Sequence, residues 1–201
     1  MTNRIEDILQ FWFGAFPTPY TADVTKADMW FKNGSAYDSE IFMKFAVDYD
    51  KAINGELDHW LDSFRGRLAL IVLLDQFSRH IHRGSAAAFA QDERAQALCI
   101  DGIGAADDSK CHAIERSFFY LPLEHAEDLE KQDLSIRAYE QLALDVPEEY
   151  RKSFEVTLSY AKSHHFVIEK FGRFPELNEI LGRESTQEEQ EFISSGKYSF
   201  L

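Results

Sequence analysis

Seven consecutive apolar residues, Leu68 to Leu74, run without a break into Asp75-Gln76-Phe77-Ser78-Arg79-His80-Ile81-His82-Arg83-Gly84. No other stretch constrains the fold as tightly, because a helix that is apolar around its whole circumference has to be packed on every side. The spacing predicts a central helix from about Ser63 to Arg83, with Gly84 as its stop. Asp75, Arg79 and Arg83 recur every fourth residue, in line with Leu68 and Ile71/Val72, so the charged row starts on a face that is buried one turn earlier. Ionised groups taken out of water are costly unless counter-charges come with them. Other segments are therefore expected to bring polar groups to this row.

The remaining chain reads as helices throughout. Asn3-x-x-Glu6 has the form of a capping box opening a first helix with Ile5, Ile8, Leu9 and Trp12 on its apolar side, and Gly14 ends it. Pro17 and Pro19 mark a loop, and Met29-Trp30-Phe31 a short anchor. Ile41, Phe42, Phe45, Tyr49, Ala52 and Ile53 repeat at helical spacing up to Gly55. An alanine-rich helix is expected from Ala86 to about Gly102. A proline interrupts helical hydrogen bonding, so a new helix is predicted to start at Pro122 and to run to about Asp145. Pro147 opens another, ending at Gly172, and an irregular segment follows from Phe174-Pro175 to Arg183. Thr186-x-x-Glu189 is a second capping box, ahead of a short helix that buries Phe192-Ile193. No segment alternates with period two, and no fixed-period repeat is present. The expected architecture is all-α, one domain over residues 1–201, with helical hairpins packed side by side.

Composition narrows the partners. A formal net charge of −14 over 201 residues, with no Lys/Arg block, repels phosphate backbones and anionic lipids, so nucleic acid and membrane surfaces are not expected partners. No apolar run approaches the ~20 residues of a membrane span. Cys99 and Cys111 form no Cys-x-x-Cys pair, and charges interrupt the N-terminal Met-Thr-Asn-Arg-Ile-Glu-Asp, so the cytoplasm is the expected compartment.

Several polar residues fall on faces that should be inside. On the predicted helix from Pro122, His125 shares a stripe with Leu129, Gln132, Ile136 and Tyr139, which turns His125 and Gln132 inward, with Glu124 and Glu127 flanking. His164 is the inward member of the pair His164-His165. Arg173, Asn178 and Arg183 lie beside Phe171 and Phe174.

Taken in order, Leu74-Asp-Gln-Phe-Ser-Arg-His-Ile-His-Arg-Gly84 with Ala88-Phe-Ala90, Phe119-Tyr-Leu-Pro-Leu-Glu-His-Ala-Glu127, His164 with Phe171-Gly-Arg-Phe-Pro175, Asn178 and Leu181-Gly-Arg183 resemble the bacterial family known as domain of unknown function 924. The resemblance covers nearly the whole chain. It implies an all-helical, tetratricopeptide-like right-handed superhelix and assigns no activity. This chain departs from the family pattern at Ser78, where proline is common, at Phe166, where an acidic residue is common, and at Glu176-Leu177, where a His-Arg pair is common.

For Asp75, Arg79 and Arg83 the first reading is a buried network that ties helices together, and for His125 a hydrogen-bonded core histidine. A metal set of Asp75, His125, Glu127 and His164 has suitable ligand chemistry, but His125 and Glu127 are two apart on a helix and point opposite ways, so no metal site is expected. No nucleotide-cradling glycine motif or nucleophile motif is present, and no cofactor is expected. The cations near these segments are arginines, the side chain suited to two-pronged contact with carboxylate or phosphate. The leading functional expectation is thus a binding protein for a small anion or acidic peptide, lined by Asp75, Gln76, Arg79, Arg83, Arg116, His125, Gln132, His164, Arg173, Asn178 and Arg183. The alternative is a hydrolase with His125 or His164 as base and a carboxylate such as Glu127 beside it, with or without assistance from a metal ion. An interaction scaffold without a small-molecule site is the third.

Overall fold

The structure, a computed structural model, describes residues 3–196; Met1 and Thr2 of the charged N-terminal stretch lie outside it, as do residues 197–201. The described residues form helices and no strand: α1 (Arg4–Phe13), α2 (Val24–Phe31), α3 (Asp38–Ile53), α4 (Phe64–Ile71), α5 (Ser78–Ile81), α6 (Asp92–Gly104), α7 (Ala113–Glu124), α8 (Leu129–Asp145), α9 (Glu148–Phe171) and α10 (Gln187–Ser194), with short 3-10 turns between them. None is long and apolar enough to cross a membrane.

The central helix forms around its apolar run but ends at Ile81, short of the expected Arg83. Residues Leu68 to Asp75 have no solvent exposure at all. Between α4 and α5 the backbone widens into a π segment, Val72–Phe77, in which the Ser78 N–H reaches back to the Leu73 carbonyl. At the start of α4, Gly66 lies against the Trp60 carbonyl so closely that a Cβ there would overlap it. One apolar cluster extends from Ile8 on α1 to Ala161 on α9, and a smaller one joins Val167 and Ile168 to Phe174.

Local chemistry overrides the sequence reading at several points. Asn3 does precede α1, but its side chain makes no cap; Glu6 is drawn away to Arg65, whose Nη2 donates to it at 2.7 Å. Met29-Trp30-Phe31 ends a full helix, α2, capped by the Asp23 side chain. The helix expected from Ala86 is divided, a 3-10 turn at Ala86–Phe89 preceding α6, and the buried Ser78 hydroxyl holds that turn by donating to the Ala88 carbonyl at 2.6 Å.

The helix predicted to begin at Pro122 does not. Pro122 lies inside α7, whose last turn continues through it, and His125 N–H bonds to the Leu121 carbonyl at 3.0 Å. A proline removes only its own N–H, a loss that one remaining turn can absorb. The next helix, α8, starts later, where Asp128 caps Lys131 N–H. By contrast, Pro147 does open α9, Gly172 closes it with φ +69°, and the Thr186/Glu189 capping box forms at α10.

Candidate functional site

The π segment carries Asp75 against the end of α7, with the start of α6 reached through Arg79. Such one-turn widenings interrupt the four-residue register of a helix and recur at functional sites. Asp75 is wholly buried, and its Oδ1 receives Arg79 Nη1 at 3.3 Å and His125 Nδ1 at 2.8 Å. Gln76 donates to its second oxygen. Burial works to raise this carboxyl, but the Arg79 guanidinium, then His125 and Gln76, hold it below the usual carboxylate range. Arg79 also grips Asp92 at the start of α6, at 3.0 and 3.2 Å. Burial pushes the Asp92 carboxyl up despite Arg79, and the neighbouring Asp75 charge adds to the rise.

His125 ends α7, so it does not share a helix with Gln132 and Tyr139; the expected stripe is replaced by a chain end that sets the imidazole against Asp75. A carboxylate at Nδ1 places the neutral ring's proton there and leaves Nε2 as the basic nitrogen. The residue before it, Glu124, is 3% exposed and puts Oε1 3.0 Å from Nδ1 of His164 on α9. His164 Nδ1 also lies 2.9 Å from the Tyr160 carbonyl, and its ring centre is 6.4 Å from that of His125. Gln132 on α8 is buried, its amide donating to the Glu124 and Ala126 carbonyls at 2.7 and 2.9 Å. It fastens the end of α7 to α8.

Asp75, Gln76, Arg79, His125 and His164 are thus brought together, with Gln132 behind them. The other expected residues are held elsewhere. Arg83 lies beyond the end of α5, off the Asp75 row, and chelates Asp38 at 2.6 and 2.8 Å. Arg116 pairs with Asp145 at 2.7 Å, and Arg173 with Glu189 at 2.6 and 2.8 Å. Arg183 chelates Glu127 at 2.6 and 2.9 Å, while Glu127 also accepts the Phe174 N–H at 2.7 Å. Asn178 closes the following loop, its amide donating to Ser185 Oγ at 3.0 Å. Each of these arginines already has a carboxylate of this chain. Among the described residues, no group of three or more His, Cys, Asp or Glu side chains is placed to hold a metal ion.

Asp92 and Glu124 were not among the expected site residues. Asp92 carries no motif, and its role depends on where α6 starts. Glu124 could have been recognised from the strip Leu-Glu-His if α7 had been expected to continue through Pro122.

The fold and this cluster define an all-helical protein with a buried carboxylate–histidine centre where the π segment, α6, α7 and α9 meet. The family of bacterial proteins of unknown function designated DUF924 matches residues 8–197, and the chain belongs to it. A solved structure, that of a protein of unknown function from Agrobacterium tumefaciens, is similar along the length of both chains: 33% identical, TM-score 0.81, covering 96% of this chain and 98% of the other. No curated protein matches the chain.

Proposed function

We propose that the cluster is an acid–base centre and that the protein is a hydrolase in which His125 takes a proton at Nε2 while Asp75 orients and charge-balances its ring. The observation that carries this reading is the 2.8 Å contact from the wholly buried Asp75 to Nδ1 of a histidine whose side chain is 22% exposed. A base needs a fixed tautomer and access to its reactant, and this pairing supplies the first while the exposure supplies the second. The leading expectation from the sequence, anion binding, needs arginines that are free to converge on one pocket. Internal carboxylates engage all five, which favours acid–base chemistry over capture of a small anion or acidic peptide. The same reading takes residues 1–201 as one domain whose hairpins stack as a tetratricopeptide-like right-handed superhelix; the short connections between α7, α8 and α9 support it.

The test is a survey of the purified protein against chromogenic esters, amides and phosphoesters, alongside His125→Gln. Turnover of one class by the parent protein, falling at least ~100-fold in the variant at unchanged melting temperature, is the expected result, since general acid–base catalysis contributes about 10²–10⁴-fold. No turnover of any class, or turnover that survives in His125→Gln, would overturn the reading.

A further inference from the structure

Residues 173–194, which follow α9, carry a bonding scheme of their own. Arg173 grips Glu189 at 2.6 and 2.8 Å and the Glu184 carbonyl at 2.9 Å, the Arg183 N–H closes a turn on the Asn178 carbonyl at 2.7 Å, and the Thr186/Glu189 box caps α10. The side chains that pack this arm, Phe174, Leu177 and Phe192, belong to the small apolar cluster and not to the one that fills the core. The arm is joined to the fold beside its root, where Phe192 meets Phe171 with ring centres 4.9 Å apart and Glu188 pairs with Lys170 at 2.9 Å. It is joined again at the loop between α7 and α8. There Arg183 chelates Glu127 at 2.6 and 2.9 Å and donates to the Phe174 carbonyl at 3.1 Å, while the Phe174 N–H donates to Glu127 at 2.7 Å. The loop has anchors besides this one, since His125 is held by Asp75 and Gln132 donates to the Ala126 carbonyl. The clasp therefore fastens a separately bonded arm to a fixed post.

We propose that this arm is a cover over the histidine pair, hinged at Gly172 and clasped at Glu127, which opens as one unit. Closed, it sets the Phe174 ring edge-on to His164 with centres 5.6 Å apart, and His164 is 7% exposed. Open, it lifts Phe174 from that ring, whose centre is 6.4 Å from that of His125. The hinge has room to turn: Gly172 stands at φ +69°, and no atom lies within 4 Å of where a Cβ would be. Closing also has a cost, because Arg183 Nε is buried in the clasp without an acceptor among the described residues, and in an open arm water would supply one. Segments with few ties to the main core are the ones that open locally, and covers drawn from them shut a reaction off from water. The use of this one as a gate rests on the acid–base reading above; its opening does not.

Hydrogen exchange of the full chain, compared with Arg183→Met, tests the cover. The amides of residues 174–194 are expected to exchange about 10-fold faster or more in the variant, the scale of losing hydrogen bonds between charged groups, while α7, α8 and the first turns of α9 keep the parent rates. His164 should become reactive toward diethyl pyrocarbonate in the same variant. Unchanged exchange in the arm, acceleration that spreads through α7 and α8, or an arm that opens while His164 stays unreactive would each overturn the proposal. Should Arg183→Met not fold, exchange of the parent protein in low urea decides instead: residues 174–194 are expected to open together ahead of α7 and α8, and opening only with the whole chain would overturn it. No readout here needs turnover, so failure of the cover and failure of the hydrolase reading are separate results.

Discussion

His125 Nδ1 and Asp75 Oδ1 stand 2.8 Å apart across 50 positions of sequence, fastening the end of α7 to the π turn of the central helix. Asp75 has no exposure, and among the described residues its charge is sustained by Arg79, His125 and Gln76.

Asp75→Ala is accordingly expected to be costly. Stripping one partner from a buried ion pair costs about 3–5 kcal/mol, but Arg79 would retain Asp92, so a loss of about 2–3 kcal/mol is expected here. Urea unfolding at neutral pH measures it. A loss below about 0.5 kcal/mol, typical of surface changes, would show that the contact contributes no stability.

Changing Asp75 and Arg79 together to apolar residues will not restore that loss, because Asp92 then loses the cation that serves it. Recovery is expected only when Asp92 is replaced as well, the three being one network. Unfolding of the double and triple variants, compared with Asp75→Ala, distinguishes a network from two independent pairs.

The pH dependence of stability has opposing parts. Glu124 has a folded value of about 7, above the unfolded ~4.3. Between these the folded state holds an extra proton, and stability falls as pH rises. His164 is the reverse: its folded value of about 4 lies below the unfolded ~6.5, so the unfolded state holds the extra proton and stability rises with pH. The two slopes, each at most about 1.4 kcal/mol per pH unit, offset one another between about pH 4.5 and 6.5. Glu124→Gln is expected to leave the upward slope exposed and His164→Gln the downward one. Identical pH profiles for both variants would contradict the assignment.

Millimolar sulfate, phosphate or a dicarboxylate is expected to shift the melting temperature no further than chloride at matched ionic strength, because Arg83, Arg173 and Arg183 are each chelated by a carboxylate of this chain. A specific increment that Arg79→Met or Arg173→Met removes would restore the anion-binding reading.

Thr186→Ala should cost about 1 kcal/mol, the usual value of an N-cap side chain. It breaks the reciprocal cap in which Thr186 Oγ1 accepts from Glu189 N–H and Glu189 from Thr186 N–H. Hydrogen exchange should show faster opening confined to α10.

The sequence by itself determined the helical class, the full burial of Leu68 to Leu74, the ends of α3 and α9 at Gly55 and Gly172, and the inward turn of His164. All of these follow from interactions within a few residues: apolar periodicity, the left-handed conformation open to glycine, and side-chain oxygens capping nearby N–H groups. It also singled out Asp75, Arg79 and His125. Tertiary structure alone decided which of the chosen polar residues meet. The π widening at Val72–Phe77 and the end of α5 at Ile81 take Arg83 off the Asp75 row and give it to Asp38. Continuation of α7 through Pro122 brings His125 to Asp75 and Glu124 to His164. A four-residue spacing is the same whether or not the backbone slips by one residue, and an arginine's sequence neighbours do not reveal which distant carboxylate reaches it first. Charge pairing across the core is settled by packing, where the cost of an unpaired buried ion outweighs any local preference.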